Sequence, residues 1–457
     1  MCWQHMPDMH GDRERRSAMS LLLRDVIRRL LQERKKTQLE LVGQLNGKIQ
    51  QANLSAVLNG KRRFTLNMLD AITEALGLEK GSLYHYYEQE CFDKWGNLRP
   101  KKAAEFILCC YEMGLGHVTR RLVNRLVEHG SENTNLLFSI AERLFEAGLF
   151  MESMYFYNTV IDMETGIQAE SDRFCVSCYR RFVVHETLQT DTVYDAFVVL
   201  AGCLKNQPKK AERPLPGDSD NLQFDAYRKA IAYCIEQEMW HRVITLGEQF
   251  ANLAISEQDS LAFGQSLLCR AEAVLSLHQL QLASYYVEQC AEIPVPSLQI
   301  ESQTFRLRLA MKRGDLSVLD ECLDWLRKHP DQITTLFPAM LQACLLQDRL
   351  PEAGRVVACC KEAAADPLPD PSHPRWKKWN ARLQRLLADY LIRSGNVAEG
   401  WEHLLSALQI AITLQRTTDV IDCMLLYERV RKHVPPQQQE QMTELLRSGS
   451  AMYRECT

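Results

Sequence analysis

The residues best suited to chemistry lie within Thr37 to Gly60, TQLELVGQLNGKIQQANLSAVLNG. Gln50, Gln51, Ala52 and Asn53 open a short apolar-faced segment there, and the carboxamides of Gln51 and Asn53 can each pair bidentately with an adenine edge. Basic clusters bracket them: Arg34, Lys35 and Lys36 come before, and Lys61, Arg62 and Arg63 follow directly. Cations so placed would hold phosphates, contributing affinity and register rather than sequence choice. Between Asp12 and Phe64 there are 13 Lys/Arg against 5 Asp/Glu, a local +8 in a chain of formal net charge −4. The remainder is therefore acidic, and the basic surface is a local feature.

Two short helices must position those side chains. Leu39, Leu41, Val42 and Leu45 fall at near-helical spacing behind Thr37, a residue able to N-cap. Asn46-Gly47 breaks the pattern, and a second helix starting near Gln50 would bury Leu54, Val57 and Leu58 before Asn59-Gly60, where glycine suits the left-handed position after a helix. Two such helices meeting at a Gly-containing turn are what a helix-turn-helix requires. Thr37-Gln38, Glu40-Leu41, Leu45, Ile49, Leu54-Ser55, Val57 and Asn59-Gly60 resemble the lambda-repressor-like (XRE) helix-turn-helix, over roughly Leu21 to Tyr87. The turn at Asn46-Gly47-Lys48 is longer than is usual in that family. The resemblance implies that the second helix enters the major groove of double-stranded DNA, and it adds Thr37, Gln38, Ser55 and Asn59 to the interface.

Around this motif, residues 1–20 have little apolar periodicity and read as a disordered lead-in. A helix is expected over Leu21 to Glu33 with Leu22, Val26 and Leu30 on one face. Another is capped by Thr65 and carries Leu66, Leu69, Ile72 and Leu76 up to Gly77, and a fifth is expected over Lys80 to Glu90. Together these would make a DNA-binding domain over residues 21–90.

From about Arg99 the sequence repeats. In Asn135 to Asp162, the residues Leu137, Ile140, Ala141, Leu144, Gly148, Phe150, Ser153 and Tyr157 follow tetratricopeptide spacing, with the small residues letting paired helices approach. Fainter copies carry Gly314 and Gly395 or centre on Gly114, Trp240, Leu280 and Leu350, whereas Gly166 to Cys203 is helical without an assigned repeat. The fold expected is all-α: the N-terminal helix-turn-helix followed, over residues 99–457, by a right-handed tetratricopeptide-like α-solenoid of about eight helix pairs. It would be subdivided near the Pro-rich, charged stretch 206–221, and 365–374 is a second exposed loop.

A helix-turn-helix followed by such a solenoid resembles the RRNPP group of Gram-positive regulators, which includes the arbitrium receptors. The resemblance implies a cytoplasmic homodimer whose solenoid binds a short signalling peptide and thereby alters DNA binding. Repeat positions facing the concave side supply candidate peptide contacts: Asn135, Glu142 and Glu146 in the clearest unit, and Arg228, Gln265, Glu272, Arg308 and Gln342 further on. Arg382, Arg385, Asp389 and Arg393 complete the set, with the three arginines sharing one helical surface able to take a carboxylate. Asn and Gln satisfy a peptide backbone, and Arg neutralises its terminus.

Enzymatic chemistry has little purchase here. No Gly-rich phosphate loop, nucleophile elbow or two-His metal motif occurs, and His185-Glu186 and Glu402-His403 are isolated pairs. The 16 cysteines are scattered through helical patterns, as reduced core residues would be, and Cys175-x-x-Cys178 stands without a second pair. No cofactor, metal or membrane span is expected. The competing expectation is a non-enzymatic scaffold whose solenoid binds a protein partner.

Overall fold

The computed structural model describes residues 22–45, 47–93, 95–128, 133–165, 171–206, 222–363, 374–414 and 416–455. The lead-in, and all but one residue of each of the two Pro-rich stretches, lie outside these. The described residues form 22 α-helices, and the one extended contact among them is an antiparallel bridge between Phe92 and Leu98. The chain divides into two compact units, Met1–Leu222 and Gln223–Thr457.

The first unit opens with α1 (Leu23–Glu33), α2 (Gln38–Gln44), α3 (Gln51–Leu58) and α4 (Leu66–Ala75). Thr37 caps α2 through a capping box with Glu40, and Thr65 caps α4 by accepting from the Met68 amide. The buried stripe of α1 is Leu23, Ile27 and Leu31, one residue on from the expected Leu22, Val26 and Leu30. Leu39 is 64% exposed. On a seven-residue helix that buries Leu41, a residue two positions earlier points to the opposite side. The expected helix over Lys80 to Glu90 is instead a left-handed Gly81 followed by two 3₁₀ turns, Tyr84–Tyr86 and Glu88–Cys91. These turns bury Tyr84, Tyr87 and Cys91 against the next helix.

Three helix pairs complete the unit: α5 (Pro100–Glu112) with α6 (Arg120–Glu128), α7 (Thr134–Glu146) with α8 (Phe150–Glu164), and α9 (Asp172–Thr187) with α10 (Val193–Asn206). The last pair occupies the stretch in which the sequence assigned no repeat, because its turn is made by a left-handed Gln189 where the other two use Gly114 and Gly148. Ala141 and Ser153 are fully buried between their helices, as close packing requires. One apolar core runs from Leu23 through Phe106 to Val160, so α1–α4 pack into the same core as α5–α8.

The second unit is built of successive pairs: α11 (Leu222–Glu236) and α12 (Trp240–Ser256), α13 (Ser260–Ser276) and α14 (Leu280–Ala291), α15 (Pro296–Lys312) and α16 (Leu319–Lys328). After them come α17 (Ile333–Leu346) and α18 (Leu350–Ala363), α19 (Pro374–Arg393) and α20 (Val397–Thr413), α21 (Thr417–Val430) and α22 (Pro436–Glu455). Left-handed residues Glu238, His278, Gly314, Asp348 and Gly395 mark the turns within the first five pairs. Trp240, Leu280 and Leu350 each begin the second helix of a pair. Neighbouring elements bury local apolar clusters in sequence, Leu267 to Leu309, then Leu307 to Leu386, then Ala388 to Met442, which is the sequential pairing of a helical repeat solenoid. No described helix is long and apolar enough to cross a membrane.

Candidate functional site

The amide-rich segment is held by the apolar face of a very short helix. Leu54, Val57 and Leu58 are buried and fix α3 against α1 and α2. Gln50 is its N-cap in an extended conformation; its backbone carbonyl accepts from the Asn53 and Leu54 amides, but its side chain accepts from none of the first N–H groups of α3. Gln50, Gln51 and Ala52 are exposed side by side at that end, whereas Asn53 and Ser55 are half-buried. The exposed carboxamides of Gln50 and Gln51 are therefore the ones oriented for a large polar ligand.

The other residues selected from the sequence are partly engaged. Arg62 donates to the Asn53 side-chain oxygen at 2.6 Å. Asn59 accepts from Arg28 and donates to Ser55 Oγ, both at 3.2 Å, and so ties the end of α3 to α1. Thr37 is occupied as a cap; its backbone N–H and its hydroxyl hold the Glu40 carboxyl below the usual range. Gln38, Lys61 and Arg62 are exposed. Arg63 is also exposed, but its guanidinium is engaged: it donates to the Phe92 carbonyl and, at 3.4 Å, to the Glu90 carbonyl, bracing the segment after the 3₁₀ turns. It is committed to the fold rather than held out toward a phosphate. Lys48, in the long turn, pairs with Glu74 at 2.6 Å.

The residues chosen from the repeat template come together as rungs between first helices of successive pairs. In the first unit Arg173 on α9 donates to Asn135 on α7 at 2.5 Å, and Arg180 pairs with Glu142 at 3.3 Å. Glu142 also accepts from Tyr157, whereas Glu146 is exposed and joins no rung. In the second unit Arg228 on α11 donates to Gln265 on α13 at 3.0 Å, and Glu272 on α13 takes both terminal nitrogens of Arg308 on α15. Gln342 on α17 accepts from Arg382 on α19 at 2.8 Å. Arg385 pairs with Asp422 on α21 at 2.8 Å, and Arg393 with Asp389 at 2.7 Å. The three arginines of α19 therefore have three different partners and do not converge on a single site.

Residues the sequence reading missed are the opposite ends of these rungs: Arg173, Arg180, Lys312 and Asp422. The signal was one of spacing, since rung partners stand 36 to 40 residues apart, about one repeat, with Lys312 the exception at 30 from Gln342. Burial pulls Arg308 down, but the charge and hydrogen bonds of Glu272 outweigh that and leave it raised. Lys312 is pushed down to about 8 by burial and by the charges of Arg382 and Arg308, against the opposing pull of Glu272.

Twelve of the fourteen described cysteines are buried, and all fourteen are free thiols. Cys175 and Cys178 gain a third buried neighbour, Cys203 on α10, whose thiol donates toward Cys175 at 2.7 Å. No cluster of His, Cys, Asp and Glu suited to a metal occurs among the described residues. His185 is buried, bonded through Nδ1 to Thr190 and Thr192, and pushed down by burial; His403 is bonded to Gln384. Each histidine is thus hydrogen-bonded within the fold.

No family model and no curated protein matches the chain. Among solved structures it is similar to a circular tandem repeat protein with novel repeat topology and enhanced subunit contact surfaces, at 12% identity and a TM-score of 0.12, covering 93% of this chain and 90% of that one. So distant a likeness says nothing about function.

Proposed function

We propose that this chain is a DNA-binding transcription regulator of the helix-turn-helix type, whose repeats respond to a small ligand carried on the rung-bearing face of the first helices. The observation that carries the reading is the exposed, side-chain-uncapped start of α3. It offers Gln50 and Gln51 to base edges, while exposed Arg34, Lys35, Lys61 and Arg62 lie on either side in sequence to take phosphates. Arg28 and Asn59 lock α3 to α1, so the reading surface is pre-organised. A helix of eight residues is long enough to lay its first turn in a major groove. The protein acts, on this reading, without catalysis, in the cytoplasm and as a homodimer, with a short peptide as the ligand class that the rung amides and arginines suit.

One observation favours a protein-interaction scaffold instead. Met151 and Tyr155 on α8, and Ile421 and Leu425 on α21, are exposed apolar pairs at helical spacing. On α21, Val430 is buried and Met424 packs against the core, but Ile421 and Leu425 stay open at 52% and 59%. A homodimer contact would use the same pair.

The test is DNA binding by the full chain to its own upstream region, titrated with salt under excess nonspecific competitor. A competitor-resistant complex with a steep salt slope supports the regulator. Failure of that complex, together with failure of genome-wide selection to find any site, would leave the scaffold as the better account.

A further inference from the structure

Along the rung-bearing faces, arginines are matched to acids. Arg180 has Glu142 and Arg308 has Glu272; Arg385 has Asp422 and Arg393 has Asp389. Arg173 and Arg228, whose rung partners are neutral amides, each hold a carboxylate as well, Glu164 and Asp225. One step breaks the pattern. Lys312 Nζ at 3.3 Å and Arg382 Nη2 at 2.8 Å both donate to the single side-chain oxygen of Gln342, and neither forms an ion pair with a described carboxylate. Glu272, an acid whose charge reaches both, is already held by both terminal nitrogens of Arg308. Asp419, the other acid near Arg382, is engaged by Arg416.

A neutral oxygen cannot balance two converging cations. An amide can accept from both, but Lys312 keeps two unused N–H donors and Arg382 keeps most of its fork. The two side chains come from α15 and α19 and meet over α17, so three successive repeats enclose the place where their charges converge. Burial and neighbouring arginines hold both groups below their ordinary values, Arg382 and Arg308 acting on Lys312 and Arg308 and Arg385 on Arg382, yet the Lys312 side chain is exposed, so a ligand can reach it. Sites with this composition, a planar donor fork beside a mobile ammonium and a neutral amide, suit an oxyanion.

We propose that Lys312, Arg382 and Gln342 form a binding site for a carboxylate or phosphate group. An incoming oxyanion accepts from the Lys312 ammonium and the Arg382 guanidinium and supplies the charge missing from this rung. Gln342 then orients the two cations from below. The site bridges α15, α17 and α19, so occupancy draws three repeats together, which is how a small ligand would change the packing of the second unit. It deepens the proposed ligand sensing by naming the ligand's charged group, and its role as a signal rests on that reading; the binding itself does not.

The test uses the full chain without DNA, in calorimetric titrations at constant ionic strength set by chloride. Four probes are compared: inorganic phosphate, acetate, trialanine with a free C-terminus, and trialanine amide. The expected result is saturable binding of phosphate, or of trialanine but not its amide, weakened at least about tenfold in both Lys312→Met and Arg382→Gln and retained in Lys312→Arg. A stronger phosphate response identifies a phosphate-bearing ligand, and a stronger trialanine response a peptide terminus. Because the Lys312 ammonium is depressed, binding just above neutral pH should also take up protons, seen as a heat that depends on buffer ionisation. Circular dichroism establishes that each variant is folded; should either be unfolded, Gln342→Glu serves in its place, since an internal carboxylate would occupy the site and abolish binding. Absence of saturable binding by every probe, or binding unchanged in folded variants, overturns the proposal. A site that binds oxyanions in a protein that ignores DNA would leave this inference standing and remove the regulator reading, and the reverse result would do the opposite.

Discussion

Replacing Lys312 by Met should make the protein more stable near neutral pH and erase part of its stabilisation by alkali. Lys312 faces Arg308 on its own helix, Arg382 from α19 and Glu272 from α13, with Gln342 from α17 as its hydrogen-bond partner. Its folded value of about 8 lies below the unfolded-chain value of about 10.4. Below both values each state is protonated, and the penalty on the folded state is present in full. Between them the unfolded chain binds more protons than the native one, so stability rises with pH across that window, and above it the penalty is gone. For a fully desolvated lysine this displacement would be roughly 3 kcal/mol. The Lys312 side chain is open to solvent, however, so screening reduces the expectation to about 1 kcal/mol. Met keeps the apolar stem and drops the charge. The assay is the urea midpoint of wild type and Lys312→Met at several values from neutral to about pH 10. The variant should lie above wild type at the neutral end and converge with it at the alkaline end; contributions from other titrating groups cancel in the difference. Parallel curves would refute the electrostatic account of this rung. Saturating phosphate should raise wild type alone and so narrow the neutral-pH gap.

Other outcomes rest on single named contacts. Gln51→Ala should remove about 1–3 kcal/mol of discrimination at one base pair while leaving nonspecific binding intact, read by competition against single-base operator variants. Lys61→Ala and Arg62→Ala should each flatten the dependence of log affinity on log salt by about one. Arg63→Met should leave that slope unchanged, because its guanidinium is spent on the Phe92 and Glu90 carbonyls, and should instead lower the melting temperature. Gly264→Ala puts a methyl where Leu298 Cδ1 would lie 2.2 Å away, so the buried Leu298 side chain must shift; overpacking of this kind costs about 1–3 kcal/mol, measurable by thermal unfolding.

The sequence carried the fold where glycine and small residues did the marking. Gly148 lies between α7 and α8, with Ala141 and Ser153 packed inside, and there the repeat was plain. The turns at Gln189, Glu238, His278 and Asp348 adopt the same left-handed conformation without glycine, so the strongest local signal was missing and repeats blurred or vanished. The run LLLRDVIRRLL supports two adjacent apolar stripes equally well, and tertiary packing chose Leu23, Ile27 and Leu31. Periodicity also could not distinguish an α-helix from paired 3₁₀ turns over Lys80 to Glu90, where burial of Tyr84 and Tyr87 decides the conformation. Candidate groove residues were legible because their side of the helix follows from the template, and for Arg228–Gln265, Glu272–Arg308 and Gln342–Arg382 both ends of a rung were among them. Which residues pair was not legible, and Arg173, Arg180, Lys312 and Asp422 were missed, because a rung forms only when two helices one repeat apart are stacked. That is why the cation pair over Gln342 is visible only in three dimensions.

The shared core of the first unit bears on how a regulator of this kind could work. Tyr84 and Tyr87 pack on Phe106 of α5 with ring centroids 5.6 and 4.9 Å apart, and Tyr84 donates to Asp70 on α4 at 2.8 Å. Lys102 on α5 reaches back to the Phe64 carbonyl at 2.7 Å, just after the basic Lys61-Arg62-Arg63 run. A reading helix on a loose tether would be indifferent to the packing of the repeats behind it. Here α3 sits in the same apolar cluster as α5 to α8, and close-packed interiors transmit displacement rather than absorb it. A shift of α5 relative to α7 would be felt by Tyr84, Tyr87 and, through Asp70, α4, and on the proposed regulator reading would re-aim α3. Loosening that weld with Phe106→Ala should cost about 3–5 kcal/mol of stability; if α3 is aimed through the core, DNA selectivity will fall along with stability, and selectivity unchanged in the folded variant would mean that α3 is positioned by α1 and α2 alone.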